Sequence, residues 1–64
     1  MKIKMPSGNL KDIDIGSMTV EELLKSLQID PGEVLVSRDG HFIPEDTLLE
    51  NDDNIRIIQV VFGG

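Results

Sequence analysis

Hydrophobic and polar residues alternate near both ends of this 64-residue chain, and a helical repeat lies between them. Residues 2–5, KIKM, alternate strictly, as a strand buried on one face does. "PSGN", Pro6 to Asn9, supplies a turn in which Gly8 is free to take positive φ. "DIDI" at 12–15 alternates again and puts Ile13 and Ile15 on one face, so the first segment reads as a β-hairpin.

The period then changes. In "GSMTVEELLKSLQ", Val20, Leu23, Leu24 and Leu27 fall at i, i+3, i+4 and i+7, a single apolar stripe of a helix. Thr19 with Glu22 three residues on is a capping box, in which each side chain answers a free backbone N–H. Met18 and Leu23 occupy the positions of a hydrophobic staple across that cap, and Glu21 and Glu22 suit the positive end of the helix dipole. Pro31 and Gly32 forbid continuation.

"EVLVSRDGHFIP" places strand-forming residues around Asp39-Gly40, a strong hairpin signal, and Pro44 ends the second arm or sets it at an edge. Residues 45–50 read as a short helical turn that buries Leu48 or Leu49. "NDDN", Asn51 to Asn54, is turn chemistry, and "IRIIQVVF" is a long β-branched strand. The order is β-β-α-β-β-β. One helix with one apolar stripe must lie across one face of a mixed sheet, over Ile3, Met5, Ile13, Ile15, Val34, Val36, Ile55 and Ile57. Two hairpins flanking a helix, with the last strand returning to pair in parallel with the first, describe an α+β roll of the β-grasp (ubiquitin-like) type with four to five strands. The reading is one domain over residues 1–62 and a flexible tail at 63–64.

Composition narrows the chemistry. There is no cysteine, so a disulfide framework, a thiolate zinc site and a cysteine nucleophile are all excluded, in keeping with a reducing cytoplasm. Twelve acids against six bases give a net charge of −6, which repels a phosphate backbone and favours a partner with a basic docking surface. No apolar run reaches the roughly 18 residues of a membrane span, and no signal peptide is read. His41, the lone histidine, follows the Asp39-Gly40 turn and is expected to face solvent. Asp52 and Asp53 lack the spaced acids of a calcium loop and read as a turn. No phosphate-cradling motif occurs. The expectation is a protein that is not an enzyme, binds no metal or cofactor, and acts as a monomer.

The last strand and the tail carry what remains. Both parities of "IRIIQVVF" are apolar: Ile55, Ile57 and Val61 on one, Ile58, Val60 and Phe62 on the other. With the helix on one face only, Ile58, Val60 and Phe62 form an outer apolar patch beside Leu35, either a buried irregular strand or a docking surface. "QVVFGG" then finishes in Gly63-Gly64, residues whose lack of a side chain suits a tail that threads into a narrow site.

With this element order, "DGHFIPED" in the middle and "NDDNIRIIQVVFGG" at the end, the whole chain resembles the MoaD/ThiS-type sulfur carriers. It is equally similar to the small archaeal modifier proteins and the eukaryotic ubiquitin-related modifier. It departs from the family pattern at Asp52-Asp53-Asn54, where Asp-Gly-Asp is usual, and at Phe62, where the bacterial carriers have a small residue. The resemblance implies an ATP-dependent, ubiquitin-activating-type enzyme that adenylates the Gly64 carboxylate. A sulfur donor then makes a thiocarboxylate for cofactor biosynthesis or tRNA thiolation by a sulfur-accepting synthase. In the modifiers the acyl group passes instead to target lysines; Lys2, Lys4, Lys11 and Lys25 are candidate sites of self-conjugation. Three readings stay open: sulfur carrier, conjugated modifier, and β-grasp interaction module with an incidental tail.

Overall fold

The computed structural model describes residues 1–14 and 16–60. Within them the order is β1 (Lys2–Lys4), β2 (Leu10–Asp12), β3 (Ser17–Thr19), α1 (Val20–Ser26), a 3-10 turn (Pro31–Glu33), β4 (Val34–Arg38), β5 (His41–Ile43), β6 (Leu48–Glu50) and β7 (Asn54–Gln59). Five strands make one mixed sheet in the order β2-β1-β7-β4-β5, and β3 pairs with β6 in a separate ladder. β1 and β7 run parallel with Ile3 opposite Ile55, the expected closure of the roll.

The helix follows its local sequence. Thr19 is extended at φ −81°, ψ 163°, and its hydroxyl oxygen accepts the Glu22 N–H at 3.2 Å. Glu22 Oε1 accepts the Thr19 N–H at 3.1 Å and the Thr19 hydroxyl at 3.0 Å, completing the capping box. These bonds, the backbone one foremost, hold the Glu22 carboxyl below its ordinary value of 4.5. The helix stops before Pro31 can act on it. Gln28 takes a left-handed φ of 60°, its N–H reaches the Lys25 carbonyl at 3.0 Å, and the Ile29 N–H reaches Leu24 at 2.9 Å. This is a Schellman close with glutamine where glycine is usual.

Two expectations are corrected. The second strand is Leu10–Asp12, not 12–15, because the turn closes early: Met5 accepts the Gly8 N–H at 2.8 Å and its own N–H reaches Asn9 at 2.7 Å. Leu10 therefore lands opposite Lys4. Ile13 still extends the pairing, exchanging bonds with Met1 at 2.9 and 2.7 Å, and is half-buried as expected; Ile15 lies outside the described residues.

Nor do residues 45–50 form a helical turn. The Glu45 and Thr47 carbonyls accept the Glu21 and Val20 N–H groups at 2.9 and 3.0 Å, so they serve the first turn of α1. The chain then extends as β6 against β3, burying Leu49 completely and leaving Leu48 exposed.

The remaining turns behave as read. Asp39 (φ 52°) and Gly40 (φ 82°) make the two-residue loop between β4 and β5. Asp53 is a turn residue: its carboxylate accepts the Glu50 N–H at 2.9 Å and pairs with Arg38 Nη1 at 3.3 Å. The core comprises Met1, Ile3, Val20, Leu23, Leu24, Val36, Leu49, Ile55 and Ile57, with Met5, Met18, Leu27 and Val34 half-buried around it.

The two helix ends can be tested separately. Thr19→Ala removes an N-cap acceptor, so it costs about 1 kcal/mol and lowers the melting temperature by several degrees. A carboxyl with a lowered folded pKa stabilises the fold above its unfolded value and loses that contribution as pH falls through the folded one. The gap between wild type and Thr19→Ala should therefore narrow on acidification, and thermal melts at a series of pH values measure it. At the other end, Gln28→Gly relieves a left-handed side chain and should raise stability by about 0.5–1 kcal/mol in urea titrations; a loss there would contradict the strain.

Candidate functional site: the outer face of the sheet

Strand alternation sorts β7 into two sets of side chains. Ile55 and Ile57 are buried beneath α1, while Asn54, Arg56 and Ile58 point to the opposite face of the sheet. Among the described residues no helix lies over that face. β4 pairs antiparallel with β7 and sets Leu35 opposite Ile58 and Ser37 opposite Arg56. The expected neighbours Ile58 and Leu35 are thus brought together as a cross-strand pair, with Leu35 46% exposed and Ile58 half-buried. A leucine left this open on a sheet face is not core packing.

Val60 is held one step further on. Its N–H donates to the Glu33 carbonyl at 2.9 Å, which continues the attachment of β7 beside β4 past the end of the strand. Glu33 is placed by the 3-10 turn, whose start is fixed by the Asp30 carboxylate accepting the Gly32 N–H at 2.9 Å. The approach to the tail is therefore anchored through residue 60. Val61, Phe62, Gly63 and Gly64 lie outside the described residues, and with them the Phe62 part of the expected patch and the glycine expected to be adenylated.

The same face holds residues that sequence reading did not place there. Lys4 on β1 lies opposite Arg56, Leu10 on β2 lies opposite Lys4, and Phe42 on β5 lies opposite Ser37. Leu10 is 78% and Phe42 65% exposed. Strand parity carried this signal, since Lys4 and Arg56 occupy polar positions of alternating strands, but only the register shows that they are neighbours. A groove of about 400 Å³ runs between the Pro6–Gly8 turn and β7, lined also by Lys4, Arg56 and Ile58.

His41 is exposed on the edge strand, at a position paired with Arg38 and so away from the outer face. Among the described residues no three His, Asp or Glu side chains gather in a metal-binding group, and no helix is long and apolar enough to cross a membrane.

Comparison with known proteins bears on both fold and family. The model of the ThiS family matches residues 7–64. No curated protein matches the chain. The crystal structure of a thiamine biosynthesis protein (ThiS) from Geobacter metallireducens is similar over 100% of both chains, with a TM-score of 0.69 and 23% identity. The solution structure of a thiamine biosynthesis protein from the same organism is similar over 100% of this chain and 88% of that one, with a TM-score of 0.64 and 22% identity. At such identity the likeness establishes a shared fold, the five-stranded sheet and single helix of the β-grasp.

The two faces of β7 give a direct mutational contrast. Ile57→Asp forces a charge into the core and should unfold the domain. Ile58→Asp, one residue on, should keep a folded circular-dichroism spectrum. Tolerance of the first with loss of the second would mean that the faces are reversed.

Proposed function

The chain belongs to the ThiS family, and on that premise we propose that it is a ubiquitin-like sulfur carrier whose reactive group is the carboxylate of Gly64. The observation that carries the reading is the family match, which runs through the last strand and on through Gly63 and Gly64. The thiamine biosynthesis proteins that share the fold support thiamine biosynthesis as the pathway served.

The chemistry divides between the carrier and its partners. A carboxylate is a poor electrophile because its oxygen is a poor leaving group. In a partner enzyme that binds ATP, a Gly64 carboxylate oxygen attacks the α-phosphorus, pyrophosphate departs, and an acyl-adenylate results. A sulfur donor at the sulfide level then attacks the carbonyl carbon. A C–S bond forms, the C–O bond to AMP breaks, and the sulfur loses its proton to leave a thiocarboxylate. A sulfur-accepting synthase takes up that sulfur, and the carboxylate is regenerated.

This chain's part is to present the tail. Glycines at 63 and 64 let a partner close around the backbone from both sides. Leu35, Ile58 and Val60 seat the adenylating enzyme, and Phe62, next to Gly63 in the sequence, joins them in this reading. Burial of these side chains contributes about 25 cal/mol per Å² before the costs of association.

Two measurements test the reading. Deleting Gly63-Gly64 should leave the melting temperature unchanged and abolish ATP–pyrophosphate exchange by the adenylating enzyme. Intact mass spectrometry of the protein from its native cells should show a species heavier by about 16 mass units, sulfur in place of oxygen. Exchange that persists on the truncated chain would overturn the reading. Gly-Gly remnants on target lysines without any thiocarboxylate would replace it by the modifier alternative.

A further inference from the structure

The net charge of −6 points to a partner with a basic docking surface, yet the outer face of the five-stranded sheet has the opposite sign. On the outer face of the five strands the charged side chains are Lys2, Lys4 and Arg56 against Asp12 alone. Asp12 is already engaged, 3.6 Å from the Met1 amino group. Half of the chain's six bases thus gather on the surface that also exposes Leu35 and Phe42.

Lys4 and Arg56 stand directly opposite each other on adjacent strands. Like charges at such positions repel and lower stability, whereas opposite charges there would raise it. No acid within the described residues forms an ion pair with either: the pairs present are Met1–Asp12, Lys25–Glu21 and Arg38–Asp53. Such a pair offers the isolated domain repulsion in place of attraction. Both cations also line the groove that runs along β7 beside Ile58.

We propose that Lys4 and Arg56 form a cationic clamp that receives carboxylates from the docking face of the adenylating enzyme, a partner surface that is apolar at its centre and acidic at its rim. The inference rests on the sulfur-carrier reading and specifies the partner's chemistry. The guanidinium of Arg56 can take a carboxylate through two parallel N–H bonds, and the Lys4 ammonium adds a point charge beside it. Leu35, Ile58 and Phe42 exclude water around them on docking, which strengthens the ion pairs. A nucleic acid does not fit this site, because the acidic remainder of the chain repels a continuous polyanion and two cations neutralise little of one. A protein face with a few placed carboxylates does fit.

The test is ATP–pyrophosphate exchange by the adenylating enzyme as a function of carrier concentration. Combined Lys4→Glu and Arg56→Glu should raise KM for the carrier by at least about tenfold and flatten its dependence on salt, with kcat at saturation unchanged because Gly64 is intact. The conservative pair Lys4→Arg and Arg56→Lys should hold KM within about threefold. Arg56→Glu alone should raise KM while also raising the melting temperature, since it replaces a repulsion by an attraction opposite Lys4. No exchange with the wild-type carrier would overturn the sulfur-carrier reading and this inference together. Normal wild-type exchange with KM unmoved by charge reversal, or moved as far by the conservative pair, would overturn the clamp alone. An Arg56→Glu chain less stable than wild type would remove the repulsion on which it is argued.

Discussion

Ile3 and Ile55 lie opposite each other across two parallel strands drawn from distant parts of the chain, and both are buried against the helix. Parallel neighbours cannot be joined by a tight turn, so everything between them must cross over the sheet and return. The intervening segment supplies that crossover with α1 and the hairpin of β4 and β5, which then pairs β4 with the far edge of β7. β7 is thereby the central strand of five, flanked on both sides. Because side chains alternate along it, a slip of one residue in the β1–β7 register would carry Ile55 and Ile57 to solvent and Arg56 into the core. The burial of Ile3, Ile55 and Ile57 fixes the register, and the register in turn decides what the outer face displays.

The helix that covers this sheet has only seven residues, too few to persist alone in water. It is held at each end by bonds that the rest of the chain supplies. Thr19 and Glu22 close one end locally, and the Glu45 and Thr47 carbonyls reach in to accept the next two free N–H groups. The Gln28 turn closes the other. The β3–β6 ladder sits where these meet, pairing Met18 with Leu49 and bringing the latter into the core. A domain of this size has little core to spare, so a fully buried leucine contributed by a three-residue strand matters.

Legibility in the sequence divides along the same line between local and distant causes. The capping box, the apolar stripe, the Asp39-Gly40 turn and the two faces of the last strand are written in neighbouring residues, and each can be read there. β3 and β6 cannot, because each is three residues long and exists only through a partner about 30 positions away. Residues 45–50 look helical because nothing local reveals that their carbonyls are already committed to α1. Gln28 carries no sequence mark of a left-handed residue. At the candidate site, Ile58 beside Leu35 follows from parity. The Lys4–Arg56 juxtaposition requires the register between strands some 50 residues apart.

Alternation on one central strand lets stability and recognition be set by different residues of the same hexapeptide. Ile55 and Ile57 answer to the helix, and Arg56 and Ile58 answer to whatever meets the outer face. Their backbones are nonetheless one rigid unit, paired with β1 over Asn54–Arg56, with β4 over Ile55–Gln59, and tied at Val60 to Glu33. A partner that grips Arg56 and Ile58 thus holds a fixed platform, and the path from that grip to residue 60 has little freedom left to lose. Pairing that runs up to Val60 lowers the entropic cost of docking on this face. The side chains that hold the platform in place lie inside, in the core. Those free to meet a partner lie outside, Lys4 and Arg56 side by side among them, where a change of charge leaves the packing of the core untouched.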